Sequence, residues 1–395
     1  MERQIIEYLN QFDFDVRKTH DGRFMDQKCT PDVVCAACEC IVEYTKNNAN
    51  IHFTKNDIWH SDYANNLITE SFSKPNLSEE SATNEYDKFF SQPLKTLAYA
   101  KILNEKKVGI TNYYTIRNAE ILQYISLRER NALFFLDCFL TKTMEDSGMM
   151  PFLNTFFQQQ SRSALYSLRD SLMQLYHNNT PIKGDLEPPR IFNKIINILA
   201  FKRKLKGAVR GNVSATSLTI DKIRYNEINW RDLNKDKSIT RQSYKELFQL
   251  NIGAGEGYYK YAIQKAKKFV RQLHPYSEIH RFSEYPGLQA HHIFMESEFP
   301  EIADYPENII CITPNQHFYR AHPNNKTIII DPNYQLICLL SKLDSIEINY
   351  RAGNADYSLS DFVNVLNVGL DTDAFTPQMD YEEIKHQIVK NKCIS

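Results

Sequence analysis

Through its first half the chain repeats apolar residues every three or four positions and uses Gly and Pro sparingly. That period buries one face of a helix and does not suit a strand. The expected class is therefore α+β, with a mainly helical first part. At 395 residues the chain exceeds the usual size of one hydrophobic core, so two or three domains are expected. The boundaries read as residues 1–75, 85–255 and 256–395.

Local signals place the first helices. Pro31 and Asp32 open a helix through Val33 to Tyr44, on which Cys35, Cys38 and Cys40 serve as small apolar fillers. Cys35 and Cys38 form one C-x-x-C, but a structural zinc site wants a second such pair, and the chain has none. Metal or redox use of this cluster, with Cys29, stays the alternative. Thr54 and Asp57 fit a capping box ahead of Ile58 and Trp59, and Asp62 to Phe72 reads as helix until Lys74-Pro75 stops it. The polar stretch Ser73 to Asn84 reads as a linker or a mobile loop. Pro93 to Asn104 reads as a helix, and Lys106 to Arg117 (KKVGITNYYTIR) as a hairpin around Gly109. A helix followed by such a hairpin resembles a winged helix, with an ordinary helix and hairpin as the alternative. From Ala119 to Tyr176 the chain reads as long helices, with Leu133, Phe134, Leu136, Phe139 and Leu140 on one apolar face.

Charge is balanced overall at -1, which excludes a wholly basic nucleic-acid binder and leaves local clusters to make any such contact. Three clusters qualify. A helix from Pro189 to Lys206 ends in Lys202, Arg203, Lys204 and Lys206 and feeds a turn containing Gly207, Arg210 and Gly211, a combination able to hold phosphates. A second stretch contains Arg224, Tyr225, Trp230, Arg231, Lys235, Lys237 and Arg241. A third runs along a helix with Tyr258, Tyr259, Lys260, Tyr261, Lys265, Lys267, Lys268 and Arg271. In each case an ordinary solvated helix face is the alternative. No stretch approaches the roughly 20 apolar residues of a membrane span, and the acidic residues Glu2 and Glu7 do not suit a secretory leader. A soluble cytoplasmic protein is expected.

Four of the 11 histidines, His291, His292, His317 and His322, fall between positions 291 and 322. The segment LQAHHIF reads as a strand, followed by a loop, a second strand through Ile309, Ile310 and Ile312, and a helix. Thr313 suits the N-cap, Pro314 the first helical position, and Gln316 completes a capping box. His317 then lies in the first turn, where the helix dipole disfavours imidazolium and keeps the ring fit for a metal. Adjacent residues on a strand point to opposite faces, so His291 and His292 take different roles.

These residues, from about Leu288 to Pro323, resemble the HNH or ββα-metal nucleases in their His-His variant, with the ββα core at about 286–323. The resemblance implies His291 and His317 as metal ligands, His292 as the general base and Asn308 as the residue that orients it. Some family members place another ligand four residues after the helical one, where this chain has Ala321. His322, five residues on, lies about 140° around an α-helix from His317, a poor co-ligand unless the helix unwinds before Pro323. Two protein ligands and several waters imply one divalent ion, Mg²⁺ first, then Mn²⁺, with Zn²⁺ less suited. The ion would bind the scissile phosphate and the leaving 3′ oxygen while His292 takes a proton from water.

The stretch DGRFMDQKCTPDVV (Asp21 to Val34), the winged-helix-like part and NWRD (Asn229 to Asp232) resemble parts of certain type II restriction endonucleases. A PD-D/E-x-K reading of the first stretch fails because Asp32 follows Lys28. The resemblance implies helical recognition regions at 1–75 and 85–255 and a nuclease domain at 256–395. It further implies a homodimer on double-stranded DNA and a protective DNA methyltransferase as cellular partner. Two other readings stay open: a DNA-binding regulatory protein with a degenerate HNH unit, and a nonspecific nuclease or toxin.

Overall fold

A computed structural model of the protein describes residues 1–72, 83–184, 187–209, 211–225, 256–279, 284–322, 330–354 and 356–392. The described chain is α+β and mostly helical, with three two-stranded antiparallel sheets among the described residues. It divides into two compact units, Met1–Gly257 and Tyr258–Ser395.

The first unit runs α1 (Glu2–Leu9), α2 (Val16–Thr19), α3 (Pro31–Thr45), α4 (Lys55–Trp59), α5 (Asp62–Phe72) and α6 (Thr83–Tyr99). The hairpin β1 (Leu103–Val108) and β2 (Thr111–Ile116) follows, then α7 (Ala119–Leu127), α8 (Glu129–Asp146), α9 (Met150–Gln159), α10 (Arg162–Asn179) and α11 (Glu187–Lys202). A short hairpin, β3 (Ala208–Val209) and β4 (Asn212–Val213), leads to α12 (Ile220–Ile223). At the centre is α3, packed against α6, α7 and α8. It is buried nearly all round, which explains its small side chains: Ala36, Ala37, Cys38 and Cys40 let neighbouring helices approach closely. Cys29, Cys35, Cys38 and Cys40 are buried free thiols, in keeping with the filler role. Helices from both sides of the 73–82 segment thus share one core.

Local caps form as the sequence dictates. Thr54 and Asp57 make the reciprocal capping box of α4, and Pro31 opens α3 behind Thr30. The hairpin turns at Gly109, with φ of 61°, and pairs Val108 with Thr111 through Leu103 with Ile116.

Three boundaries differ from expectation. Pro93 lies inside α6, whose upstream turns are anchored by buried Phe89 and Phe90. That helix ends at Tyr99 because Lys101 turns left-handed and Ile102 N–H donates back to the Leu97 carbonyl. Likewise α11 stops at Lys202, not Lys206: Lys204 is left-handed and Leu205 N–H donates to the Ala200 carbonyl. On α8, Phe135 enters the core, and Phe134 is half-buried beneath the Lys202 ammonium. The 73–82 part of the expected linker lies outside the described residues.

In the second unit, α13 (Glu256–Leu273), which begins at the boundary, precedes the hairpin β5 (Gln289–His292) and β6 (Ile309–Ile312). A π turn (Gln316–Ala321) follows, then α14 (Pro332–Arg351), α15 (Leu359–Gly369) and α16 (Tyr381–Lys392). Strand β6 is buried on both faces. Ile310 and Ile312 enter the main core with Leu339, Leu343, Phe362 and Leu366. Ile309 and Cys311 pack instead on Ala266 and Val270 of α13. The hairpin is therefore sandwiched, which is why its second strand is continuously apolar rather than alternating.

No helix among the described residues is long and apolar enough to cross a membrane.

Candidate metal centre

Cross-strand partners share a face of the sheet. His291 pairs with Ile310 and His292 with Ile309, so the two rings are sent to opposite sides of the hairpin. His291 faces the π turn, and His292 shares the α13 side with Ile309. Both still border one cleft of about 430 Å³, together with Lys267, Met295, Glu296, His317 and His322.

The turn after β6 starts as its sequence requires. Thr313 N–H donates to Gln316 Oε1 at 2.8 Å and Gln316 N–H to Thr313 Oγ1 at 3.2 Å, a reciprocal capping box. Beyond it the backbone adopts the wider π repeat from Gln316 to Ala321. An i→i+5 repeat returns the chain to the same side after five residues. This corrects the expectation from α-helical periodicity, because His322 now stands beside His317. Their ring centroids are 4.8 Å apart, and His291 lies 5.2 Å from His317 and 5.0 Å from His322. Candidate ligand atoms of the three rings all lie within 4.8 Å of one another.

Electrostatics suit these rings to a metal. Burial, reinforced by His317 and His322, holds His291 well below the ordinary imidazole value. Burial, with His322 and Lys267 behind it, pushes His317 down to about 4. The neutrality expected from the helix dipole thus has burial as its main source. Neutral imidazoles offer the lone pairs that ligation needs, and the buried Nδ1 of His317 has no hydrogen-bond partner. An orphaned buried nitrogen on a ring packed against two other imidazoles fits an ion. With three nitrogen donors the set suits Zn²⁺, Co²⁺ or Ni²⁺, whereas Mg²⁺ prefers oxygen.

His292 is held differently. Its Nε2 lies 2.9 Å from the Ala303 carbonyl oxygen, which can only accept, so Nε2 carries the proton and Nδ1 keeps the lone pair. Burial and Lys267 push this ring down to about 4, leaving it an unprotonated acceptor at neutral pH.

Asn308 does not hold the His292 ring. Its buried amide accepts from Phe294 N–H at 2.9 Å and donates to the Phe294 and Ile302 carbonyls at 3.0 and 3.2 Å. Those bonds pin the loop between the strands, and with it the Ala303 carbonyl next to Ile302. Asn308 therefore fixes the backbone that His292 contacts. The Ala303 carbonyl has no sequence signal, since any residue supplies one.

The basic residues separate. Lys267 borders the cleft, while Lys268 and Arg271 are exposed on α13. In the first unit Arg203 is committed to Asp137 at 2.7 Å and to the Leu199 carbonyl at 2.8 Å. Lys202 and Lys204 are exposed and Lys206 is half-buried. The Gly207 turn is not an open cradle for phosphate: its N–H donates to Ser214 Oγ and its carbonyl accepts from Ser214 N–H. Arg210, Arg231, Trp230, Lys235, Lys237, Arg241 and the NWRD stretch lie outside the described residues, as does Pro323.

Comparison with models of known protein families, with curated proteins and with solved structures found no match.

Proposed function

We propose that the chain is a metal-dependent, sequence-specific DNA endonuclease whose second unit is an HNH-type nuclease domain. The reading makes it a type II restriction enzyme, cytoplasmic, acting on double-stranded DNA as a homodimer and paired with a protective methyltransferase. Within it, the first unit is the recognition region, and the β1–β2 hairpin with α6 is its winged-helix-like part.

One observation carries the proposal: three imidazoles converge at one cleft while a fourth, His292, is held apart with its acceptor nitrogen free of a proton. His291, His317 and His322 would hold a divalent ion, which would supply Lewis-acid stabilisation to the charge that builds on a phosphodiester during cleavage. Zn²⁺, Co²⁺ or Ni²⁺ suits this donor set better than Mg²⁺ or Mn²⁺. His292 receives the proton of the attacking water at Nδ1, and the resulting imidazolium keeps its Nε2–H bond to Ala303, which stabilises the charge. Asn308 positions that carbonyl. Lys268 and Arg271, exposed on α13 beside Lys267, offer the phosphate backbone a cationic approach.

Digestion of plasmid and phage DNA with each of these ions tests the reading. Discrete, reproducible fragments are expected. Smears would make the enzyme nonspecific, and intact DNA with every ion would leave a binding protein with a degenerate unit. In His292→Ala, turnover should fall by roughly 10²–10⁴-fold with DNA binding unchanged; full activity in that variant removes His292 as the base.

A further inference from the structure

Lys267 presents an unusual combination. Its side chain borders the cleft that holds all four histidines. It is half-buried, and no carboxylate lies within ion-pair distance of it among the described residues. Glu296 borders the same cleft and attracts the ammonium without pairing with it, while Arg271, one turn along α13, repels it. An unpaired cation withdrawn from water is costly. A divalent ion at His291, His317 and His322 would add a second positive charge to the same confined space, where like charges repel more strongly than in water.

An anion lying between the two charges relieves both costs. We infer that Lys267 and the histidine trio together form a subsite for a single phosphodiester, its oxyanion bridging the Lys267 ammonium and the metal. The inference rests on the reading of the trio as a metal centre. It goes beyond that reading in making metal and phosphodiester binding mutually dependent: the phosphodiester offsets the repulsion between the ion and Lys267, and the ion adds to the attraction that holds the phosphodiester. Thermodynamic reciprocity requires the coupling to be the same in both directions. Lys267 is thus a catalytic residue of the phosphate-binding kind rather than a general cationic contact such as Lys268.

Cobalt titration of the full chain tests this, with calorimetry for affinity and the visible spectrum of Co²⁺ for imidazole coordination. The probe is a dinucleoside monophosphate, which carries one phosphodiester. In the wild type the probe should raise cobalt affinity by about 5- to 150-fold, the usual range of coupling between sites. In Lys267→Met, cobalt should bind more tightly than in the wild type when the probe is absent, and the gain on adding it should shrink to what direct contact between metal and phosphate provides. Lys267→Arg should keep the gain, and an unchanged Co²⁺ spectrum in each variant shows the trio intact. An equal gain in wild type and Lys267→Met overturns the subsite while leaving the metal centre standing. Absence of cobalt binding by the wild type overturns both. A gain that shrinks in Lys267→Met, in a protein that cleaves no DNA, supports the subsite and rejects the nuclease.

Discussion

At the scale of single residues, the proposed chemistry depends on imidazoles kept neutral by burial. Unfolded histidine titrates near ~6.5, whereas His292 and His317 are pushed to about 4 in the fold, and His291 and His274 are shifted the same way. As pH falls below ~6.5 the unfolded chain takes up protons that the fold rejects, so stability declines until the folded rings titrate as well. Metal-free protein in chelator should therefore melt progressively lower from pH 7 to pH 5. A melting temperature that stays level or rises over that range contradicts the burial of neutral rings. His322→Ala should weaken cobalt binding by at least the 10–100-fold that loss of an outer-shell partner costs, measured by titration at pH 7; unchanged affinity would remove His322 from the ligand set. His291, His292 and His317 were legible because their order and spacing are local. His322 was not, because its position depends on which helical repeat the turn adopts.

At the scale of elements, the turn after β6 shows where local chemistry stops deciding. Thr313 and Gln316 cap it through bonds spanning only three residues, and such bonds form wherever the sequence occurs. The π repeat arises farther on, where Ala321 is buried in the main core and accepts from Asp331 N–H, the N-cap of α14. One extra residue per turn lets Ala321 reach the core while His322 stays with His317. Thr313→Ala should cost about 1 kcal/mol of stability, read by denaturant unfolding, with cobalt affinity falling in the same variant. A variant of wild-type stability would show that packing alone shapes the turn. The ends of α6 and α11 make the same point, since both close on bonds to carbonyls five residues back, set by a left-handed Lys in a sequence that still reads as helix.

At the scale of the whole molecule, the second unit is built around a buried charge pair. Lys342 on α14 lies 3.1 Å from Glu278 Oε2, both side chains fully buried, and donates to Tyr357 at 2.7 Å. The Glu278 carboxylate also accepts from Cys311 N–H at 2.7 Å, tying this network to the strand opposite Ala290 and next to His291's partner. Removing one partner strands the other charge. Lys342→Met should therefore cost about 3–5 kcal/mol, seen as lost hydrogen-exchange protection in peptides of the second unit. Adding Glu278→Gln should restore much of it. A Lys342→Met protein of unchanged stability would mean that the pair does not hold the unit together.

The features legible along the chain are those that short-range physics decides. Helical periodicity set the mostly helical class, capping boxes placed the starts of α4 and of the turn at Thr313, and strand alternation sent His291 and His292 to opposite faces. Each rests on neighbours within one or two turns of chain. Long-range packing was needed to bring His322 to His291 and His317, to set the Ala303 carbonyl rather than Asn308 against His292, and to make Lys267 alone of the basic candidates on α13 line the cleft. Those outcomes depend on how a strand buried on both faces is sandwiched between α13 and the core. Burial energy gathered from residues distant in sequence there overrides the local repeat.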